Sequence, residues 1–134
     1  MIWVIDTSAL IRLFIPDGSV HPEAEAALRR VVFGADTVLA PQLLLAEVAN
    51  VLLRKQRRGE LAPDELRELL AAVEGLPIRY CDHAALLIPA TGLALAQGLT
   101  AYDALYLALA EQYEARLMTC DEDLDKVARR LGLA

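Results

Sequence analysis

The sequence predicts an α/β protein, in which a parallel sheet is covered by helices on both faces. Short apolar runs of strand length alternate along the chain with longer segments of helical periodicity. The short runs are apolar throughout, as is typical of strands that are buried on both sides of a parallel sheet. With 134 residues, the chain is long enough for one core and too short for two ordinary domains. We therefore expect a single domain over residues 1–134.

Four apolar runs predict the strands. Each contains β-branched, aromatic or long aliphatic residues, and each is bounded by a change to polar or turn-forming residues. In chain order the runs are Ile2–Ile5, Thr37–Ala40, Ile78–Tyr80 and Leu117–Cys120.

Six helices are expected between and after these strands. Proline is favoured in the first helical turn, where its missing N–H costs nothing, and three helices are assigned from prolines on that basis. The third shows one buried face, with leucines and a valine at helical spacing. The predicted helices are Pro22–Phe33, Pro41–Arg58, one from Pro63, His83–Gln97, one after Thr100 and one after Asp121.

Composition favours a cytoplasmic protein that has no membrane span. Met1 leads directly into the first strand without the basic region of a secretory signal. The uncharged stretch Ala84–Tyr102 is interrupted by Pro89 and Gly92, so we do not interpret it as a membrane helix. The two cysteines have neither zinc-site nor disulfide-framework spacing, which favours a reducing compartment.

Charge and hydropathy limit the classes of partner. A net charge of −6 and a pI near 4.8 argue against a broad basic surface for nucleic acid. A cluster of acids that binds a cation adds negative charge without repelling phosphate, because the ion reverses the local field. Net charge therefore does not exclude a nuclease. A mean hydropathy of +0.36 predicts an apolar surface for a partner or a homodimer.

Four acidic residues lie in segments that are otherwise apolar. A carboxylate on an apolar surface loses several kcal/mol of hydration unless it is paired or bound to a cation. Two of the four follow predicted strands directly, where ligands bind in open parallel sheets. Together they predict a site for a divalent metal ion. The four residues are Asp6, Glu47, Asp103 and Asp121.

Three of these acids also have a structural interpretation. Asp6 and Asp121 fit the N-cap position of the helices that follow them. Thr100 and Asp103 fit the Thr-x-x-acid form of a capping box. For any one of these residues, capping alone is a sufficient explanation.

Glu47 needs a different explanation because it lies in mid-helix, where capping does not operate. At 100° per residue it falls on the apolar side of its helix. The structural alternatives are an ion pair with Arg54 or Arg58, or a side chain whose carboxylate extends to the edge of the apolar surface. Asn50 lies on the same flank one turn later, and we expect it to line the same opening.

Four segments of the sequence closely resemble the PIN domain, and more narrowly VapC-type toxins. They occur in the family's order and approximate spacing, and the resemblance covers nearly the whole chain. The segments are Val4–Leu10 (VIDTSAL), Ala46–Leu52 (AEVANVL), Leu99–Ala108 (LTAYDALYLA) and Leu117–Leu124 (LMTCDEDL).

The resemblance implies a metal-dependent endoribonuclease with a three-layer α/β/α sandwich. It also implies a homodimer and an antitoxin that is encoded beside the toxin and holds it inactive. Such proteins often have a fifth edge strand, but this chain stops soon after its last predicted helix. We therefore expect a central parallel sheet of four strands, or of five with a very short fifth.

The site residues follow from the resemblance position by position. Asp6, Glu47, Asp103 and Asp121 match the family's acidic quartet, as catalytic and metal-binding residues. Asp6 and Asp103 are expected to be the most direct ligands. The resemblance also implies accessory residues that orient carboxylates or water. These are the hydroxyl residues Ser8 and Thr119 and, as a further acid, Asp123.

Oxygen-only ligands favour Mg²⁺ or Mn²⁺, which activates water for in-line attack on a phosphodiester. The resemblance implies a 5′-phosphate and a 3′-hydroxyl as products. Neither His21 nor His83 is required for this chemistry.

Arginines and a lysine near the site are expected to contact RNA phosphates, although cations are also favoured at any helix C-terminus. The RNA-binding candidates are Arg12, Arg54, Lys55, Arg57 and Arg58.

Three other functions fit parts of this pattern. A haloacid-dehalogenase-like phosphatase requires a second Asp two residues after the first, and Ser8 occupies that position. A non-catalytic PIN-like binding module is disfavoured because all four acids are present. A housekeeping RNA-processing PIN nuclease remains open, and a neighbouring antitoxin gene distinguishes it from a toxin. The RNA target is not encoded in these motifs.

Overall fold

A computed structural model describes all 134 residues. Its centre is a four-stranded sheet in the order β3-β2-β1-β4, and every neighbouring pair of strands is parallel. The strands are β1 (Ile2–Ile5), β2 (Thr37–Pro41), β3 (Arg79–Cys81) and β4 (Arg116–Met118). The predicted α/β class and parallel sheet are confirmed.

Seven α-helices flank the sheet and give a three-layer α/β/α arrangement. They are α1 (Thr7–Ile11), α2 (Ala24–Val32), α3 (Leu43–Arg57), α4 (Pro63–Glu74), α5 (Leu87–Gln97), α6 (Ala101–Gln112) and α7 (Glu122–Arg130). The helix predicted over His83–Gln97 is divided, because a 3₁₀ helix at Ala84–Leu86 precedes α5.

The helix predicted over Pro41–Arg58 begins later than expected, because Pro41 is the last residue of β2. Pro41 is in register with Cys81 of β3, and the amide of Gln42 donates to the Cys81 carbonyl at 3.0 Å. A proline at the last residue of a strand removes a single donor, so the ladder tolerates it. The helix then begins at Leu43.

Helix α6 is the central helix of the core. It contacts β1, β2 and β4, and every residue from Ala104 to Ala110 is buried. A helix that is apolar on all sides is stable only when it is buried. This position brings the start of α6, with Asp103, to the edge of the sheet where the strands end.

No single helix is long and apolar enough to cross a membrane. Only the segments 84–97 and 101–112 taken together reach that length and composition, and a bend of 112° separates them.

The outer edge of β4 carries a backbone contact and no fifth strand. The amide of Leu117 donates to the carbonyl of Leu133 at 2.6 Å, after α7 has ended at Arg130. The last residues of the chain therefore lie along β4 without forming a ladder.

The carboxyl ends of β1 and β4 meet where the strand order reverses. β1 lies between β2 and β4, and the amide of Asp6 donates to the carbonyl of Met118 at 3.1 Å. In open α/β sheets, ligands bind outside the carboxyl ends of the strands at such a reversal. The segments after β1 and β4 therefore define the place to look for a site.

Candidate active site

Asp6 is the most buried of the four acids, with 5% of its surface exposed. It caps α1, because its Oδ1 accepts the amide of Ala9 at 2.9 Å. Ser8 Oγ donates to the same oxygen at 2.7 Å, and Thr119 Oγ1 donates to Oδ2. These hydrogen bonds favour the carboxylate, but burial outweighs them and raises the pKa of Asp6 to about 6.

The hydroxyl groups of Ser8 and Thr119 have their hydrogens directed toward Asp6. The amide of Cys120 donates to Ser8 Oγ at 2.9 Å, and the amide of Asp121 donates to Thr119 Oγ1 at 3.0 Å. Because each hydroxyl accepts a backbone amide, its own hydrogen remains for the carboxylate. The segment after β4 is thereby joined to the segment after β1.

Glu47 is held by two hydroxyl groups. Its Oε1 accepts a hydrogen bond of 2.6 Å from Tyr106 Oη and one of 3.0 Å from Thr7 Oγ1. The two hydroxyl oxygens are 3.1 Å apart. No ion pair forms between Glu47 and Arg54 or Arg58, so the ion-pair alternative is wrong.

Asp103 and Asp121 lie at helix starts. Thr100 caps α6 by accepting the amide of Asp103 at 3.1 Å. Asp121 caps α7, where its Oδ1 accepts the amide of Leu124 at 3.0 Å. Burial and then the negative charges of Asp121 and Glu47 raise the pKa of Asp103. The two helix starts are therefore capped, and their acids also lie close enough to each other and to Glu47 to interact electrostatically.

All four acids line one cleft of about 320 Å³. Asp6 and Asp121 lie in the segments that follow β1 and β4, Glu47 lies on α3 and Asp103 on α6. Because the four acids come from separate segments, the cleft exists only after the chain has folded. Its other lining residues are Thr7, Ser8, Ile11, Arg12, Asp17, Val51 and Tyr106.

Comparison with known proteins identifies the family of the chain. The model of the PIN domain matches residues 3–130. The chain belongs to the PIN-domain family. Ribonuclease VapC3 of Pyrobaculum aerophilum is 37% identical over 125 residues, which is 90% of each chain. Ribonuclease VapC1 of Mycobacterium tuberculosis is 32% identical over 121 residues, 90% of this chain and 86% of the relative.

Solved structures show the same fold. PAE2754 from Pyrobaculum aerophilum superposes with a TM-score of 0.65 at 24% identity, over 95% of this chain and 87% of the other. Mycobacterium tuberculosis VapC20, described as a Sarcin-Ricin loop cleaving toxin, gives a TM-score of 0.63 at 16% identity. That match covers 92% of this chain and 93% of VapC20.

The acidic cleft of this VapC-type PIN domain fits a partly hydrated cation. No three acidic, histidine or cysteine side chains converge closely enough to enclose an ion as they stand. Mg²⁺ usually keeps several waters and takes only one or two carboxylates directly. Each carboxylate oxygen accepts about two hydrogen bonds, and Oδ1 of Asp6 already accepts two. Oδ2 of Asp6, with one donor, keeps capacity for such an ion.

The accessory candidates divide into two groups. Ser8 and Thr119 contact Asp6 directly, as described above. Asn50 is exposed and lines a groove beside the cleft. Asp123 is exposed on the first turn of α7 and does not line the cleft.

Two of the basic candidates occupy very different settings. Arg12 lines the cleft, where its Nη1 donates to the carbonyl of Ser19 at 3.1 Å. Lys55 forms ion pairs with Asp17 at 2.5 Å and Glu60 at 3.5 Å, and only 12% of its side chain is exposed. Lys55 is thus paired and does not present a free charge to RNA.

The other basic candidates lie along the end of α3. Arg54 lines the groove beside the cleft. Arg57 and Arg58 are exposed at the end of the helix. None of the three forms an ion pair, so their positive charge is available to solvent or ligand.

Sequence reasoning missed the roles of Thr7 and Tyr106. Tyr106 is 2% exposed, and burial together with the hydrogen bond to Glu47 raises its pKa far above the usual range. It follows Asp103 by three residues on α6, and residues at that spacing share a helix face. That spacing is the signal from which the contact of Tyr106 with the acidic cluster could have been predicted.

Proposed function

We propose that this PIN domain is a VapC-type toxin endoribonuclease, a hydrolase that cleaves RNA phosphodiester bonds with Mg²⁺ or Mn²⁺ as its cofactor. One observation carries the proposal: four carboxylates from four separate segments share a single cleft at the strand reversal. Without a cation, such a cluster is electrostatically unfavourable. The VapC ribonuclease relatives, which align with 90% of the chain, support the same conclusion.

Asp6 and Asp103 would hold the cation directly, and Glu47 and Asp121 would bind its water ligands. When bound, the ion supplies a water of lowered pKa and neutralises the charge that develops on the phosphodiester. Carboxylate and water oxygens are the ligands that Mg²⁺ and Mn²⁺ prefer.

The protein's own groups orient the reaction. Thr7 and Tyr106 both donate to Oε1 of Glu47, so Oε2 remains to accept a proton from water. Water attacks phosphorus in line, the bond from phosphorus to the 3′-oxygen breaks, and that oxygen takes up a proton. The products are a 5′-phosphate and a 3′-hydroxyl.

RNA is held by the unpaired arginines. Arg12 lines the cleft, and Arg54, Arg57 and Arg58 lie along the end of α3. Arginine binds phosphate through a planar fork of donors. Binding therefore weakens with added salt in proportion to the number of phosphates contacted.

The proposed partners are a second copy of the chain and a cognate antitoxin. Large apolar side chains remain exposed on α5 and at the end of α2. They are Val32, Phe33, Leu87, Ile88 and Leu95, each more than half exposed. Apolar surface of this kind is typical of protein interfaces. The proposed compartment is the cytoplasm, where Cys81 and Cys120, both free thiols, remain reduced.

The test is cleavage of total cellular RNA by purified protein without a partner. We expect cleavage with Mg²⁺ or Mn²⁺, none with EDTA and none by an Asp6→Asn variant. Asp123→Asn is the matched control, since Asp123 is an acid outside the cleft. It should cleave like the unmodified protein.

Two outcomes would contradict the proposal. Cleavage that survives Asp6→Asn would indicate a contaminating nuclease. A folded protein that binds Mn²⁺ but cleaves no RNA would indicate a non-catalytic PIN module.

A further inference from the structure

A second groove, of about 760 Å³, adjoins the catalytic cleft. It lies between α3 and the start of α6, and it shares Thr7, Glu47 and Val51 with the cleft. A ligand that passes through the cleft therefore has a continuous path into this groove. We call it the α3/α6 groove.

The α3/α6 groove presents two exposed apolar side chains. Tyr102, the second residue of α6, is 61% exposed and directly precedes Asp103. Leu53 of α3 is 39% exposed and lines the same groove. By contrast, Tyr106 lies one turn further along α6 and is buried at 2%. The exposed ring of Tyr102 is thus not needed for the core.

The charge of the groove favours an anion. Arg54 lines it and has no carboxylate partner, whereas Lys55, the next residue, is paired twice. Glu47 is the one acid in its lining, and one oxygen of that carboxylate already accepts two hydroxyl donors. The exposed amide of Asn50 adds both donors and an acceptor.

We propose that the α3/α6 groove binds one unpaired nucleotide of single-stranded RNA, next to the phosphodiester that is cleaved. The base stacks on Tyr102 beside Leu53, Arg54 binds a phosphate, and Asn50 contacts a base edge. This inference rests on the proposed ribonuclease function and specifies how the same site selects its substrate. Aromatic side chains bind unstacked bases in this way, and a base within a duplex is not available for stacking.

Two substitutions of Tyr102 test the stacking contact, and a substitution of Tyr113 is their control. Binding is measured by fluorescence anisotropy with a labelled single strand of about 12 nucleotides, in the Asp6→Asn background so that the RNA stays intact. We expect Tyr102→Ala to weaken binding about 5- to 150-fold, because stacking contributes about 1–3 kcal/mol per base. Tyr102→Phe, which keeps a ring, should bind nearly as tightly as the parent.

Tyr113→Ala is the matched control. Tyr113 is also an exposed tyrosine, at 42%, but it lies at the opposite end of α6. Its replacement should leave RNA binding unchanged. Because both tyrosines are exposed, neither substitution should disturb folding, which circular dichroism checks.

Arg54→Ala tests the phosphate contact separately. The plot of log K against log salt has a negative slope. Removal of one phosphate contact should make that slope shallower by about 0.7 for a single strand. Asn50→Ala should leave that slope unchanged and reduce discrimination between homopolymeric single strands of different base.

The outcomes separate this inference from the proposed function. RNA cleavage by the unmodified protein, with equal RNA binding by Tyr102→Ala and Tyr113→Ala, would overturn the nucleotide subsite and leave the ribonuclease standing. Equal binding together with a change from dimer to monomer in sedimentation would assign the groove to protein contacts, which also overturns it. If the unmodified protein neither binds nor cleaves RNA, both proposals fail.

Discussion

The four acids of the cleft fall into two pairs that are held very differently. Asp6 and Glu47, the fixed pair, each accept hydrogen bonds from two hydroxyl side chains. Asp103 and Asp121, the helix-start pair, have fewer donors: Asp103 has one hydroxyl neighbour, Thr100, and only a backbone amide bonds Asp121. The cleft thus has one half whose carboxylates are oriented in advance and one half whose carboxylates are freer to adjust.

We expect this difference to matter for the proposed binding of a cation. Groups that are oriented before binding lose little conformational entropy when they bind, and neighbouring hydrogen bonds of this kind commonly tune a metal site. Of the four acids, only Asp121 is exposed. We therefore expect loss of a group that orients the fixed pair to weaken cation binding more than loss of a group beside Asp103 or Asp121, although Asp103 itself is proposed as a direct ligand.

The largest expected effect concerns the stability of the cation-free protein. Burial raises the pKa of Asp6 from 3.8 to about 6, so the folded state binds the proton more tightly than the unfolded state. The contribution of this proton binding to the free energy of unfolding is complete below about pH 4 and is lost as the pH rises through about 6. About two pKa units correspond to about 3 kcal/mol.

Asp6→Asn should therefore raise the unfolding free energy in EDTA by up to about 3 kcal/mol at about pH 8, and by little at about pH 4. Urea unfolding followed by the fluorescence of Trp3, which is buried, measures both. Asp103→Asn should act in the same direction, because burial and its acidic neighbours raise its pKa. A variant that is less stable than the parent at the higher pH would contradict this account.

The second prediction applies one substitution to each pair. Thr119→Val removes the hydroxyl that donates to Asp6 and accepts the amide of Asp121. We expect RNA cleavage to fall about 10- to 100-fold, the usual cost of losing such a neighbour of a metal ligand. Thr119→Ser, which keeps the hydroxyl, should restore most of the rate.

Thr100→Val is the matched comparison at the helix-start pair. It removes the cap of α6 and should cost about 1 kcal/mol of stability, with a much smaller loss of cleavage. Equal losses of activity in Thr119→Val and Thr100→Val would remove the distinction between the two pairs.

A smaller effect is expected for Tyr106→Phe. The ring stays in the core, but Glu47 loses its shorter hydroxyl donor, at 2.6 Å, and keeps only Thr7. The affinity for Mn²⁺, measured by calorimetry without RNA, should fall about tenfold. Tyr113→Phe, on the same helix, is the control, and an unchanged Mn²⁺ affinity in Tyr106→Phe would show that Thr7 alone orients Glu47.

The smallest effect is expected for Asp123→Asn. Asp123 is exposed beside Asp121 and does not line the cleft. Surface substitutions usually change free energies by less than about 0.5 kcal/mol, so the cleavage rate should stay within about twofold. A large loss of cleavage would contradict this prediction and would show that Asp123 acts together with Asp103 and Asp121.

Much of this architecture was predictable because buried strands and helix starts leave local signals. The unbroken apolar runs located all four strands, and Asp6 follows β1 directly as predicted. The fourth strand was predicted through Cys120 but ends at Met118, so Asp121 lies three residues beyond it. Pro41 was misassigned because a proline suits the first turn of a helix as well as the last residue of a strand. Only the pairing of Gln42 with Cys81 distinguishes the two.

The sequence by itself determined the α/β class, the family and the four acids, because each depends on residue type and short-range spacing. Tertiary structure alone decided which oxygens are already bonded, that Lys55 is paired and that Asp123 lies outside the cleft. It also decided that Thr7 and Tyr106, 99 positions apart, meet on Glu47. Such contacts depend on how α1, α3 and α6 pack against one another. Local spacing puts Tyr106 on the helix face of Asp103, but it does not show that Thr7 meets Tyr106 on Glu47.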